Sequence, residues 1–263
     1  MPALTHSDDL DRFMRVRAST DGEDAVVWFA GEIHAWRPGQ PAQHVFGFEG
    51  VNVARAVPAE DGWDLLAREA VFYLDPTSRE ILQTWKNPFT SEEVDVVHVM
   101  NDPVNFPLQR NGPRGPFRVA VTDLGRRFAF TTDIYLTYPS PMSRKDYPKH
   151  SQDDLYQAAE LFQYVCAVDD LDSPGASVPA EVSWTRIAPW VPFMEMADRP
   201  GNLVYHCMGA KLPGGINELP DRLRTHLEDE APQFLTAPRE ITGPNETSWT
   251  YFKRRLDART EGA

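Results

Sequence analysis

A mainly β fold, one antiparallel sheet curled into a barrel, is what the chain predicts, on three observations. Runs rich in β-branched and aromatic residues with two-residue alternation recur along it, from "AVVWFAGEIHAW" near the start to "NLVYHCMGAKL" near the end. Turn-forming residues punctuate them, with 23 prolines and 16 glycines in 263 residues. Helical periodicity is confined to two or three short runs that do not alternate with strands, which argues against a parallel βαβ sheet. The expected architecture is a single domain over residues 1–263. It has a short N-terminal helix at 8–17 and a lipocalin-like barrel over about 25–256. The alternative is an α+β fold with a strongly curved antiparallel sheet.

Each element has its own local reason. Ser7 can cap a helix that places Leu10, Phe13, Met14 and Arg17 on one face. From Ala25 the period changes to that of a strand, and "RPGQPAQ" ends it as a turn. "HVFGFEGVNVARAV" is a second strand with bend points at Gly47 and Gly50, and "WDLLAREAVFYLD" a third, closed by "DPTSRE". "EILQTWKNP" and "EEVDVVHVM" form a hairpin across "NPFTSE". "GPFRVAVTDLGRRFAFTTDIYLTYP" gives two strands joined at Asp123-Leu124-Gly125. Ser151 can cap a helix through Asp153, Asp154, Leu155, Ala158 and Ala159, and "LFQYVCAVDDL" reads equally as its continuation or as a strand. "AEVSWTRIAPWVPF" is strand-like but interrupted by Pro189 and Pro192, which suits an edge or an irregular crossing. "LPDRLRTHLEDE" is a short helix with Pro220 at its start, and "SWTYFKRRLDA" closes the chain as a strand or a helix.

The bulk numbers narrow the function. The hydrophobic fraction is 41% and the aromatic fraction 11%, enough for a core. The formal net charge of −13 repels phosphate backbones and anionic headgroups, so neither nucleic acid nor membrane is an expected partner. A homodimer is compatible with this surface. The two cysteines, Cys166 and Cys207, read as buried thiols in a reducing compartment. The first twenty residues lack an apolar core, and no run reaches the ~20 apolar residues of a membrane helix, so a cytoplasmic protein is expected.

Chemistry is sought on strand faces. In "VDVVHVMNDPVN", His98 shares a face with Val94, Val96 and Met100, and a polar break at Asn101-Asp102-Pro103 follows. An imidazole turned into an apolar cavity is held neutral and can accept a proton. Asp102 could orient it, with Asn105 beside it at the barrel mouth. The plainer reading is a core histidine followed by a capped turn. In "LVYHCMG", Tyr205 and His206 face opposite ways, so only one can be the acid partner in a given cavity. "SWTRIAPWVPFMEM" supplies Trp184, Arg186, Trp190 and Met194: aromatic walls with one guanidinium for an oxygen-bearing ligand, or simply a Trp-rich core with an ion pair. Trp85 and Asn87 of "WKNP", and Glu49, Asn52 and Arg55 of "FEGVNVAR", are polar additions near strand ends. Glu32 and His34 share a strand face and could hold a metal with His44, His98 or His206. No phosphate loop, G-x-S-x-G elbow, H-E-x-x-H or dinucleotide fingerprint is present.

Three segments carry a family resemblance: "YLDPTSREILQTWKNPFTSEEVDVVHVMNDPVN", "VSWTRIAPWVPFMEMADRPGNLVYHCMGAKLPG" and "TSWTYFKRRLDA". Together they resemble the bacterial and fungal family called domain of unknown function 1838, from about Asp11 to Leu256. Asn-Asp-Pro-Val-Asn and Trp-x-Arg…Pro-Trp are its most specific parts. The resemblance implies one domain; it implies no activity and transfers no catalytic residue.

The expected function is therefore a cofactor-independent acid/base enzyme: an isomerase, cyclase or lyase for a small hydrophobic or aromatic oxygenated metabolite. His98 is the expected base and Asp102 its orienter, with Tyr205 or His206 as acid. Arg186 would hold an oxygen and Trp184 and Trp190 would stack on the skeleton. The alternative is a non-catalytic carrier with the same barrel. A third reading is a metal-dependent enzyme built on Glu32 and His34. Haem on an inward histidine would show in a visible spectrum.

Overall fold

The strand β3 (Gln43–Ala59) is buried on both faces over most of its length, while β14 (Asn202–Leu212) alternates between buried and exposed. That contrast describes the architecture of the computed structural model, which covers residues 4–113 and 115–261. Ten strands form one antiparallel sheet, curled into a half-barrel. In spatial order they are β1 (Leu4–Ser7), β10 (Val119–Asp123), β11 (Arg127–Pro139), β12 (Leu155–Ala167), β13 (Ala180–Ala188), β14, β2 (Ala25–Trp36), β3, β4 (Gly62–Leu74) and β7 (Val99–Gln109). Strands β1 and β7 are its two edges, so the expected curled antiparallel sheet is open along one side. Two small hairpins stand apart: β5 (Thr84–Lys86) with β6 (Glu93–Asp95), and β8 (Asn111–Gly112) with β9 (Gly115–Pro116).

Helices fill and cover the curl. α1 (Leu10–Arg17) is capped by Asp9, whose carboxylate accepts the Arg12 N–H, rather than by Ser7. Its Phe13 packs on Phe130 and Tyr164 of the concave face. The Lys211 ammonium on β14 donates to the carbonyls of Arg15 at 2.6 Å and Ala18 at 2.8 Å, satisfying orphan carbonyls where α1 ends. The short α2 (Val168–Asp172) follows β12. α3 (Asp221–Glu230) lays Leu223 and Leu227 on the convex side, over Val26, Val51, Val53 and Phe72. This cover makes β3 a two-sided buried strand; β14 lies beyond it and leaves His206 and Met208 in water. α4 (Ser248–Glu261) sends Trp249 against Tyr156 and Phe252 against His150. Among the described residues no helix is long and apolar enough to cross a membrane.

Several local expectations are overturned. The helix expected from Ser151 is β12, paired on both sides with β11 and β13. Its Ala158 and Ala159 suit a helix, but Tyr156, Ala158, Glu160, Phe162, Tyr164 and Cys166 follow the period of two, and the sheet needs that surface. β13 is central, not an edge; Pro189 and Pro192 come after its last residue, so neither removes a ladder hydrogen bond. The closing segment is helical. His98 lies between β6 and β7 rather than within a strand, and the polar run Asn101–Asn105 belongs to β7, opposite β4. Prolines enter there because β7 is an edge.

Gly31 marks a close approach of two strands in the curl. A Cβ there would stand 2.2 Å from the His206 carbonyl oxygen and 2.5 Å from Cys207 Cβ, both on the neighbouring β14. Backbone cannot yield as a flexible side chain does. Gly31→Ala is therefore expected to cost about 3 kcal/mol, read as a lowered urea midpoint with an unchanged slope.

Candidate active site

The concave face is where residues distant in sequence meet. Period-two alternation turns Glu69 of β4 inward with Val71 and Tyr73; Asn52 of β3 stands opposite Glu69, and so does Asn101 of β7. Across the curl, Glu160 of β12 stands opposite Arg186 of β13, which stands opposite Tyr205 of β14. One register step away, Phe162, Trp184 and Cys207 line up. Between the two groups lies a cavity of about 80 Å³, lined by Arg17, Asn52, Glu69 and Glu160 with aromatic walls that include Phe162 and Trp184. At ~10–15 Å³ per water this is room for roughly half a dozen water-sized groups. Larger grooves open on the surface, one of about 350 Å³ beside Trp190 and Trp249. Their walls carry exposed polar groups; the smaller cavity holds charge inside the fold.

Hydrogen bonds fix this charge in place. Arg17, at the end of α1, donates Nη2 to Asn52 Oδ1 at 3.2 Å. Asn101 Nδ2 donates to Glu69 Oε1 at 3.2 Å. Arg186 Nη2 donates to Tyr156 Oη at 2.6 Å, and its Nε lies 3.5 Å from Glu160 Oε1. The guanidinium also faces the rings of Tyr205 and Trp249, at 5.4 and 5.7 Å.

Burial tunes these groups. It raises the Glu69 carboxyl to about 7; Glu160 adds to the rise, and Arg186, Arg17 and the Asn101 hydrogen bond oppose it. Burial works against the charge of Arg186, but Tyr156, Glu160 and Tyr205 outweigh it and keep the guanidinium a firm cation. Tyr73 and Tyr205 face each other, and burial pushes both phenols up, so at neutral pH both keep their protons. The arrangement is a carboxyl able to gain or lose a proton near pH 7, with fixed donors around it.

The residues expected from sequence divide clearly. Trp184 lines the cavity, and Arg186 and Tyr205 adjoin it. His98 and Asp102 are not joined. The His98 ring packs on Phe72 and Tyr73, its Nδ1 accepts the Tyr73 N–H at 3.1 Å, and burial with the nearby His226 lowers it to about 4. Asp102 instead pairs with Arg68 at 2.9 Å. The reason is register: Asp102 lies in β7 beside β4, while His98 sits before that strand starts. His206 is on the outer face, within 3.0 Å of Thr185 Oγ1. Trp85 packs on Phe46, with ring centres 4.7 Å apart. Asn87 is fully buried and structural, donating to the Met194 carbonyl at 2.7 Å and accepting from Phe89 N–H. Met194 is core. Asn105 ties β7 to the segment at Gly243 and Asn245. Trp190 donates to the Arg199 carbonyl and lines the outer groove. Glu32 is taken by Arg79 and His44, with His34 stacked on His44. Among the described residues no three His, Cys, Asp or Glu side chains converge as a metal site.

Sequence reasoning passed over Glu69, Glu160, Arg17 and Tyr73. The signal for the first was present: in "WDLLAREAVFYL", Glu69 shares a face with Leu65, Ala67, Val71 and Tyr73. Glu160 was hidden by the helical reading of its segment.

The family model described as "Protein of unknown function (DUF1838)" matches residues 22–256. The chain belongs to that family. The match takes in every cavity residue of this DUF1838 protein except Arg17, which precedes it. A search of curated proteins gives no match.

Proposed function

We propose that this DUF1838 protein is an acid/base enzyme, an isomerase, cyclase or lyase that moves a proton on a small oxygenated metabolite with an aromatic or hydrophobic skeleton. One observation carries the reading: Glu69, held near 7, opens on a cavity with aromatic walls beside a second carboxylate and a guanidinium. A base matched to the working pH is what proton abstraction needs, and such a group contributes ~10²–10⁴-fold. Glu69 takes the place that the sequence suggested for His98. Tyr205 and Arg186 stabilise charge developing on the substrate oxygen, and Trp184 and Phe162 seat the skeleton. The free buried thiols Cys166 and Cys207 fit a reducing cytoplasm.

The test is solvent exchange. Small enolisable ketones, β-hydroxy ketones and phenols are incubated with the protein in D₂O and followed by NMR. Deuterium uptake or elimination by the wild type, lost in Glu69→Gln, is the expected result. Full turnover in Glu69→Gln would remove Glu69 from its role. Tight binding of the compounds with no exchange would make the protein a carrier.

A further inference from the structure

Two buried donor atoms on the cavity wall have no hydrogen-bond partner: Arg17 Nη1 and Trp184 Nε1. Arg186 Nε and Tyr205 Oη stand beside them, but the first lies 3.5 Å from Glu160 Oε1 and the second meets the Tyr73 phenol. The guanidinium and indole nitrogens can only donate. An orphaned acceptor nearby, Asn101 Oδ1, belongs to the amide whose Nδ2 is already given to Glu69. Two orphaned donors facing one cavity call for a ligand that carries acceptors.

The charge balance sharpens this. The groups facing Glu69 are Arg17 from α1, Glu160 from β12, Arg186 from β13 and the Cys207 thiol from β14, with the amides of Asn52 and Asn101 on the flanking strands. Burial pushes the Cys207 thiol up to about 12, so it stays neutral. Two guanidinium groups and the Glu160 carboxylate leave one positive charge whenever Glu69 carries its proton, and none when it does not. An anion therefore neutralises the cavity only together with a proton.

We infer that the cavity binds a small unsaturated monocarboxylate, and that Glu69 takes up one proton as the ligand enters. The inference rests on the same cavity as the proposed enzyme and names its class of substrate, toward which Glu69 starts as the acid, giving up the proton it has gained before it can act as a base.

The probes are crotonate and butyrate, with crotonamide and butyramide as uncharged counterparts, followed by tryptophan fluorescence and calorimetry from pH 6 to 9. Both acids stay ionised across this range, so any slope belongs to the protein. The acids should bind at least tenfold tighter than the amides at pH 6. Above pH 7 their affinity should fall about tenfold per pH unit, as one-proton linkage requires. Glu69→Gln, which keeps the shape of the side chain, should bind the acids with no such slope. Equal affinity for acids and amides, no binding by either, or a slope that persists in Glu69→Gln would each overturn the inference. Its failure is separable from that of the enzyme: amides bound as well as acids leave the exchange test standing, while acids bound with a proton but never turned over sink the enzyme reading alone.

Discussion

Glu69→Gln should make the protein more stable at pH 8 and leave it almost unchanged at pH 4. In the fold this carboxyl titrates near 7 against an ordinary value of 4.5. The folded state therefore holds a proton that the unfolded chain has released between those two values. Its contribution is fully present below about 4.5 and is lost as pH rises through about 7. Above that, the fold carries a buried carboxylate at a cost on the order of 3 kcal/mol. Glutamine keeps the volume and the Asn101 contact and removes that cost. Urea unfolding of both proteins at pH 4 and 8 measures it, and equal stabilities at pH 8 would show that Glu69 is not held away from water. The same substitution should lower turnover by ~10²–10⁴-fold. Gain of stability with loss of activity is the mark of a residue kept for chemistry at the expense of the fold.

Arg186→Met is the second large effect. The guanidinium is the cation beside Glu160, and its side chain is 13% exposed. Methionine can fill much of the space but leaves Glu160 facing Glu69 with less positive charge between them. Removing one partner of a buried pair costs ~3–5 kcal/mol. Adding Glu160→Gln should recover most of this, so that the double variant is far more stable than the sum of the two single changes. In Arg186→Met alone, the Glu69 carboxyl resonance should titrate above its wild-type midpoint, because Arg186 pulls it down in the native protein. A double variant no more stable than Arg186→Met would mean that the two side chains do not act on each other.

How much of this was visible in the sequence depended on distance along the chain. Alternation within one strand is a local property, so β2, β4 and β14 were legible, and so was the opposite facing of Tyr205 and His206. Composition misled where a residue suits both forms, as Ala158 and Ala159 do in β12. His98 misled because it follows valines, yet the chain leaves the hairpin just before it and enters β7 just after. Trp184 and Arg186 stood out as unusual residues on an apolar strand and do sit at the cavity. Glu69 was visible as an acid on an apolar face, and Glu160 would have been once its segment was read as a strand. Their meeting was not, because it depends on the curl of the sheet and on pairings between strands remote in sequence.

The seam between β14 and β2 has a kinetic consequence. It zips together strands from the two ends of the chain, and the cavity takes residues from both sides of it. Contacts this remote require a large loop to close before they return any energy, which makes folding slow. The cavity should thus be completed only in the final stage of refolding, and a nascent polypeptide still lacking β14 should not have it.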